Sequence, residues 1–137
     1  MRTRSPITSR ASPGAASVGR SSRITPGDLI KFYGVAGLED APDRPSWFQR
    51  FYHRDQKLAS HAFDPAELSA ATGRAASALS LEVYGGDAIV SEDGRIRVID
   101  LNAWPSFALF RPVAAASIAA MLAARFSDAP APIGAAR

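Results

Sequence analysis

Cysteine is absent from this chain of 137 residues, which excludes disulfides, thiolate-ligated zinc and thiol nucleophiles. No stretch of eighteen apolar residues occurs, so nothing in the sequence reads as a membrane-spanning helix. No Ser/His/Asp arrangement suggests covalent catalysis, and no internal repeat is seen. Acidic residues are missing from the first 27 positions, where Arg2, Arg4, Arg10, Arg20 and Arg23 precede Asp28. That segment carries +5 of a net +3, leaving −2 for everything after it. The basic balance therefore belongs to a tail, and the mildly acidic remainder argues against a nucleic-acid-binding domain.

What is present fits one domain, with apolar residues at 47%. Residues 1–23 are Ser, Arg, Ala, Pro and Gly with little apolar surface to bury, and are expected to form a disordered basic tail. An acid-free, Arg- and Ser-rich start is shared with organelle transit peptides, but no apolar face develops, which argues against import and for a cytoplasmic location. The domain is expected over 24–127, with a second disordered tail over 128–137. Strands are predicted at Gly27–Val35 and Ser46–Arg54 around an acidic loop at Gly37–Pro45. In the first strand Leu29, Lys31 and Tyr33 share one face, Ile30 and Phe32 the other. The period then changes. Asp64 is a helix N-cap, Pro65 takes the first helical position and Glu67 falls three after the cap. Leu68, Thr72, Ala75 and Leu79 follow at helical spacing. A last, Ala-rich helix is predicted from Val113 to Phe126, with Ile118, Met121 and Leu122 on one side.

Between the helices lies "LEVYGGDAIVSEDGRIRVIDLN". Asp93-Gly94 between two β-branched runs is a strong hairpin signal. As a two-residue turn it sets Glu92 opposite Arg95, Ser91 opposite Ile96, Val90 opposite Arg97, Ile89 opposite Val98, Ala88 opposite Ile99 and Asp87 opposite Asp100. One face then carries Asp87, Ile89, Val98, Asp100 and Asn102. Two aspartates with Cβ atoms about 5 Å apart repel each other, so either one carboxyl keeps a proton or a cation sits between them. Two carboxylates and an amide oxygen, without His or Cys, make a hard-oxygen set suited to Mg²⁺, Mn²⁺ or Ca²⁺. The plainer reading is that Asp87 belongs to a Gly85-Gly86 loop and that Asp100 and Asn102 cap a strand end. A slip of one residue would separate the two aspartates onto opposite faces.

"GGDAIV", a tight turn, "VIDLNAWPSF" and an Ala-rich helix resemble the C-terminal end of the ATP-grasp superfamily. Members commonly have Glu where Asp100 stands, and inositol-phosphate-kinase-like members have Asp followed by aromatic-Pro. The resemblance implies that Asp87, Asp100 and Asn102 hold Mg²⁺ (or Mn²⁺) against ATP phosphates. It also implies that Lys31 lies near phosphate or substrate and that Arg54 faces the acceptor, with His53 and Arg50 as neighbouring candidates there. For His53 and His61 the plain alternative is a surface or packing role, for Lys31 a solvated strand lysine. Trp104, Phe107 and Phe110 either wall a substrate pocket or pack in the core. The implied activity is that of a carboxylate–amine ligase or small-molecule kinase, with ATP and an unidentified small-molecule acceptor as partners.

The family's Gly-rich phosphate loop, adenine-holding hinge and N-terminal substrate domain are not matched by any stretch here. The expectation is thus the C-terminal half of a catalytic core, truncated at its N-terminus and inactive alone, or an inactive remnant that pairs with a separate N-terminal partner. An interaction protein whose basic tail meets polyanions is the third reading. The expected fold is α+β: a mostly antiparallel sheet with two helices on one face and the acids on an open one, through which copies would associate.

Overall fold

A computed structural model describes residues 27–37 and 41–127. Both expected disordered tails, 1–23 and 128–137, lie outside these residues. Strands β1 (Asp28–Val35), β2 (Trp47–Tyr52), β3 (Val83–Val90) and β4 (Ile96–Ala103) form one sheet in the order β2-β1-β3-β4, every neighbouring pair antiparallel. Helix α1 (Pro65–Ala78) carries the chain from β2 to β3, and α2 (Arg111–Ser127) follows β4. The fold is α+β, a four-stranded antiparallel sheet with two helices.

The period-two pattern of β1 sorts the molecule into layers. Ile30 and Phe32 point to one face and are fully buried with Tyr84, Ala88 and Val90 of β3 and Leu68 and Ala76 of α1. Phe48, Tyr52, Val98 and Leu101 complete this core from the edge strands. Each such large apolar side chain contributes roughly 1.5–3 kcal/mol on leaving water. The opposite face carries Tyr33, Val35, Val83 and Trp47, which pack with Phe107 and with Ala114, Ile118 and Met121 of α2. The helices therefore do not share a face, as the sequence pattern had suggested. An Ala-rich helix offers only a thin apolar stripe, and α2 uses it to cover one end of the second face; Leu122 stays 38% exposed.

Helix α1 starts as expected. The Asp64 carboxylate accepts from Ala66 N at 2.8 Å, and Pro65 opens the first turn. Its buried stripe is Leu68, Thr72, Gly73 and Ala76, while Leu79 lies beyond the last turn and is exposed. Between β2 and α1 the chain is strapped to the start of β1. Gln56 accepts from Leu29 N at 2.8 Å and donates to Leu29 O at 2.6 Å, standing in for a strand. The buried Asp28 carboxylate accepts from Ala59 N at 2.7 Å and His61 N at 2.8 Å. Burial by itself would raise this carboxyl, but the His61, Ala59 and Ser60 backbone donors and the charge of His61 outweigh it and hold it below the usual range.

Candidate metal and phosphate site

The site is built by the β3–β4 hairpin, whose turn differs from the expected one. Ser91 N donates to Arg95 O at 3.0 Å and Gly94 N to Ser91 O at 2.9 Å, so the loop holds three residues, Glu92, Asp93 and Gly94. Gly94 has φ +76°, the left-handed conformation that closes such a loop after a type I turn. The extra loop residue moves the pairing by one: Val90 faces Ile96, Ile89 faces Arg97 and Ala88 faces Val98. Glu92 does not face Arg95, and Val98 lies in the core under α1 rather than beside the acids.

A β-bulge then moves the register back. Between Ala88 and Asp87 the partner strand advances from Val98 to Asp100, leaving Ile99 as the additional residue, 51% exposed. Asp87 consequently does face Asp100, and Gly85 faces Asn102. Gly85 and Gly86 lie within β3, not in a loop. Any Cβ on Gly86 would run into the Asp100 carbonyl oxygen, so this glycine lets β4 approach closely enough for the acids to meet. After Ala103 the chain turns sharply at Trp104, which has φ +49° and is 65% exposed. Holding a bulky aromatic there costs about 1–3 kcal/mol, and the turn brings Phe107 and Phe110 back over β1 and β2. Phe107 is buried, and Tyr33, Trp47, Phe51 and Phe110 surround it as a connected group of rings, centroids 5.1–6.3 Å apart. Phe107 and Phe110 are thus packing residues; Trp104 is not.

Lys31, Asp87 and Asp100 form a row across β1, β3 and β4, each the pairing partner of the next. Lys31 Nζ stands 2.9 Å from Asp87 Oδ1. The like-charge repulsion expected from the sequence is therefore met by the protein's own ammonium group. Lys31 and Asp87 retain 34% and 23% of their side-chain exposure, so water screens the pair, and it stabilises by at most about 1 kcal/mol. Asp100 is exposed and accepts from Asn102 Nδ2 at 2.6 Å. Arg97, opposite Ile89, lies on the same face one step towards the turn. The two-residue turn placed Arg97 on the wrong side. The Ser-Glu-Asp-Gly order, with Gly at the fourth position of a type I turn, was the signal for the longer loop.

Arg54 falls in the exposed turn after β2, and no ion pair or hydrogen bond joins it to either aspartate. Arg50 belongs to the α1 face, its guanidinium 5.2 Å from the Phe63 ring centre. His53 accepts from Asp55 N at 3.4 Å in the same turn as Arg54. A cavity of about 330 Å³ opens elsewhere, between Pro42, Gly73, Ser77, Glu82, Tyr84 and Arg125, and contains none of the row residues.

Among the described residues no three His, Cys, Asp or Glu side chains converge as a metal cage. The donor set nevertheless suits a hard divalent ion that keeps part of its water: two facing carboxylates and, once its terminal amide is turned over, the Asn102 oxygen. Among the described residues no helix is long and apolar enough to cross a membrane.

No protein-family model and no curated protein matches the chain. The chain resembles solved structures, two of which are of one ligase. One is the ATP-grasp ligase PsnB complexed with a minimal precursor, with TM-score 0.47 and 22% identity over 70% of this chain. The other is the same ligase with minimal precursor, Mg and ADP, with TM-score 0.45 and 24% identity over 72%. This chain spans about a third of each, 36% and 34%.

Proposed function

We propose that this chain is the Mg²⁺- and ATP-binding portion of an ATP-grasp-type enzyme, of the ligase or small-molecule kinase class. The observation that carries the reading is the facing pair Asp87 and Asp100 on an exposed sheet face, with Asn102 beside them and Lys31 in the same row. Asp87, Asp100 and Asn102 would hold the ion through oxygen atoms. When bound, Mg²⁺ neutralises charge that builds on the phosphates during phosphoryl transfer. Lys31 contributes a flexible ammonium that reaches from Asp87 to a phosphate oxygen. Arg54, at the open end of β2, is assigned to the acceptor substrate, whose approach its exposed turn permits.

The polar row lies beside the half-buried rings of Tyr33, Phe51 and Phe110, with Phe51 paired to Lys31 across β1 and β2, so an apolar side of the site adjoins a polar one. Phosphate and cation would meet the polar half, where Lys31 already touches Asp87 and would exchange that contact for a phosphate oxygen. The test is thermal unfolding with ATP or ADP, each with and without Mg²⁺. The expected result is a Mg²⁺-dependent rise in Tm that disappears in Asp100→Ala. A rise that persists in that variant, or no rise with either nucleotide, overturns the reading. Tight Mg²⁺-independent binding of nucleic acid would favour a polyanion-binding role instead.

A further inference from the structure

We infer that Lys31 is an internal stand-in for the metal: its ammonium holds Asp87 in the ligand-free chain, so a divalent ion enters the site readily only when an anionic phosphate draws Lys31 away. This rests on the metal-site reading above and concerns how that site is regulated.

Three features carry it. Asp87 Oδ1 is already engaged by Lys31 Nζ at 2.9 Å, and Asp87 is the more buried of the two aspartates, so it is the one whose negative charge most needs a partner. Lys31 is on β1 and Asp87 on β3 at directly paired positions, so two rigid central strands set their separation. Asp100 Oδ2 accepts instead from the neutral Asn102 amide. The ammonium therefore directly engages one carboxylate of the facing pair. A divalent ion bridging both would bring two further positive charges to the atom that Lys31 already touches, and the repulsion would act inside a partly buried face. Lys is suited to yield, because its head is a single charge on a four-carbon stem and remains a third exposed. A di- or triphosphate supplies the alternative partner. Ion and nucleotide then raise each other's affinity by the same factor, as linkage requires.

The experiment titrates Mn²⁺ alone into the full chain, read by the loss of the free-ion electron paramagnetic resonance signal. Wild type is compared with Lys31→Met, Lys31→Arg, Arg95→Met and Asp100→Ala, all checked for the native circular dichroism spectrum. Lys31→Met is expected to bind Mn²⁺ at least tenfold more tightly than wild type. Lys31→Arg, which keeps the charge, should stay within about threefold of wild type. Arg95→Met, which removes a charge paired to Asp93 at the distant turn, should change binding less than twofold. Metal-free ADP should in turn bind Lys31→Met at least tenfold more weakly. Equal Mn²⁺ affinity of wild type and Lys31→Met, or an equal gain in Arg95→Met, overturns the stand-in role while leaving the metal site intact. Retention of Mn²⁺ by Asp100→Ala, or no binding by any variant, overturns the metal site as well.

Discussion

Alternate residues of the same four strands make two unlike faces. One is sealed: Ile30, Phe32, Tyr84, Ala88 and Val90 lie under α1 with essentially no exposure. The other is divided. Its end nearest α2 is covered by that helix and by the rings of Phe107 and Phe110, while its remainder holds Lys31, Asp87, Asp100 and Asn102 in or near water. The difference separates two tasks. The sealed face supplies the free energy of folding, because apolar area removed from water is what stabilises a small domain. The open face contributes little to it, since its charges are screened by water.

Substitutions should reveal that division. The largest effect belongs to the sealed face: Phe32→Ala is expected to lower the unfolding free energy by about 3–5 kcal/mol, measured by urea denaturation. A loss below about 1 kcal/mol would show that the face is not a packed core. Asp28→Asn should cost about 1–3 kcal/mol at neutral pH, because backbone donors of Ala59 and His61 would meet a weaker acceptor. The pH dependence has a definite sign. The folded carboxyl lies below its ordinary 3.8, so its contribution is complete above that value and fades as pH falls through the depressed folded one. Acid titration of stability below about pH 4 should therefore be flatter in Asp28→Asn than in wild type. Equal acid limbs would remove Asp28 as the cause.

Tyr84 offers a smaller effect of opposite sign. Its buried Oη makes no close hydrogen bond among the described residues, and the neighbouring Thr72 hydroxyl turns its proton to the Leu68 and Ser69 carbonyls at 2.9 and 3.0 Å, leaving Tyr84 at most a weak contact. Burial, opposed by the smaller lowering from the Thr72 hydroxyl, pushes this phenol up to about 12. Tyr84→Phe should raise stability by about 1 kcal/mol, since it deletes a buried hydroxyl whose contact with Thr72 is weaker than the water it gave up. A decrease of that size in the melting curve would mean that the hydroxyl has a partner after all. The smallest effect belongs to the open face: Asp100→Ala should leave stability within about 0.5 kcal/mol of wild type, as for exposed residues generally, while removing the Mg²⁺ dependence of nucleotide binding. A large destabilisation would erase the contrast between the faces.

The hairpin shows how local reading can reach the right contact by an inexact route. Asp87 opposite Asp100 was legible from Asp93-Gly94, yet the turn has three loop residues and the pairing near it is displaced by one. The bulge at Ile99 cancels that displacement. Nothing about Ile99 marks it as a bulge in a β-branched run, because bulging is decided by what the opposing strand offers, here the bare backbone of Gly86 and the small Ala88. The displacement puts Arg97 on the acid face and Val98 in the core, the reverse of what a two-residue turn implies. Lys31 could be placed on the acid side by alternation only within its own strand; its contact with Asp87 depends on β3 returning beside β1, which α1 brings about from some fifty residues away.

Residue order alone determined the basic start, the α+β class, the Asp64 cap and the alternation that divides β1 into two faces. Each of these depends on neighbours within one turn of helix or one step of strand. Tertiary structure alone decided that α2 crosses to the second face, that Lys31 meets Asp87, and that a turn and a bulge together restore the aspartate pair. Those outcomes depend on which surfaces compete for the same apolar cover and the same carboxylate oxygen, and that competition exists only after distant strands have been brought side by side.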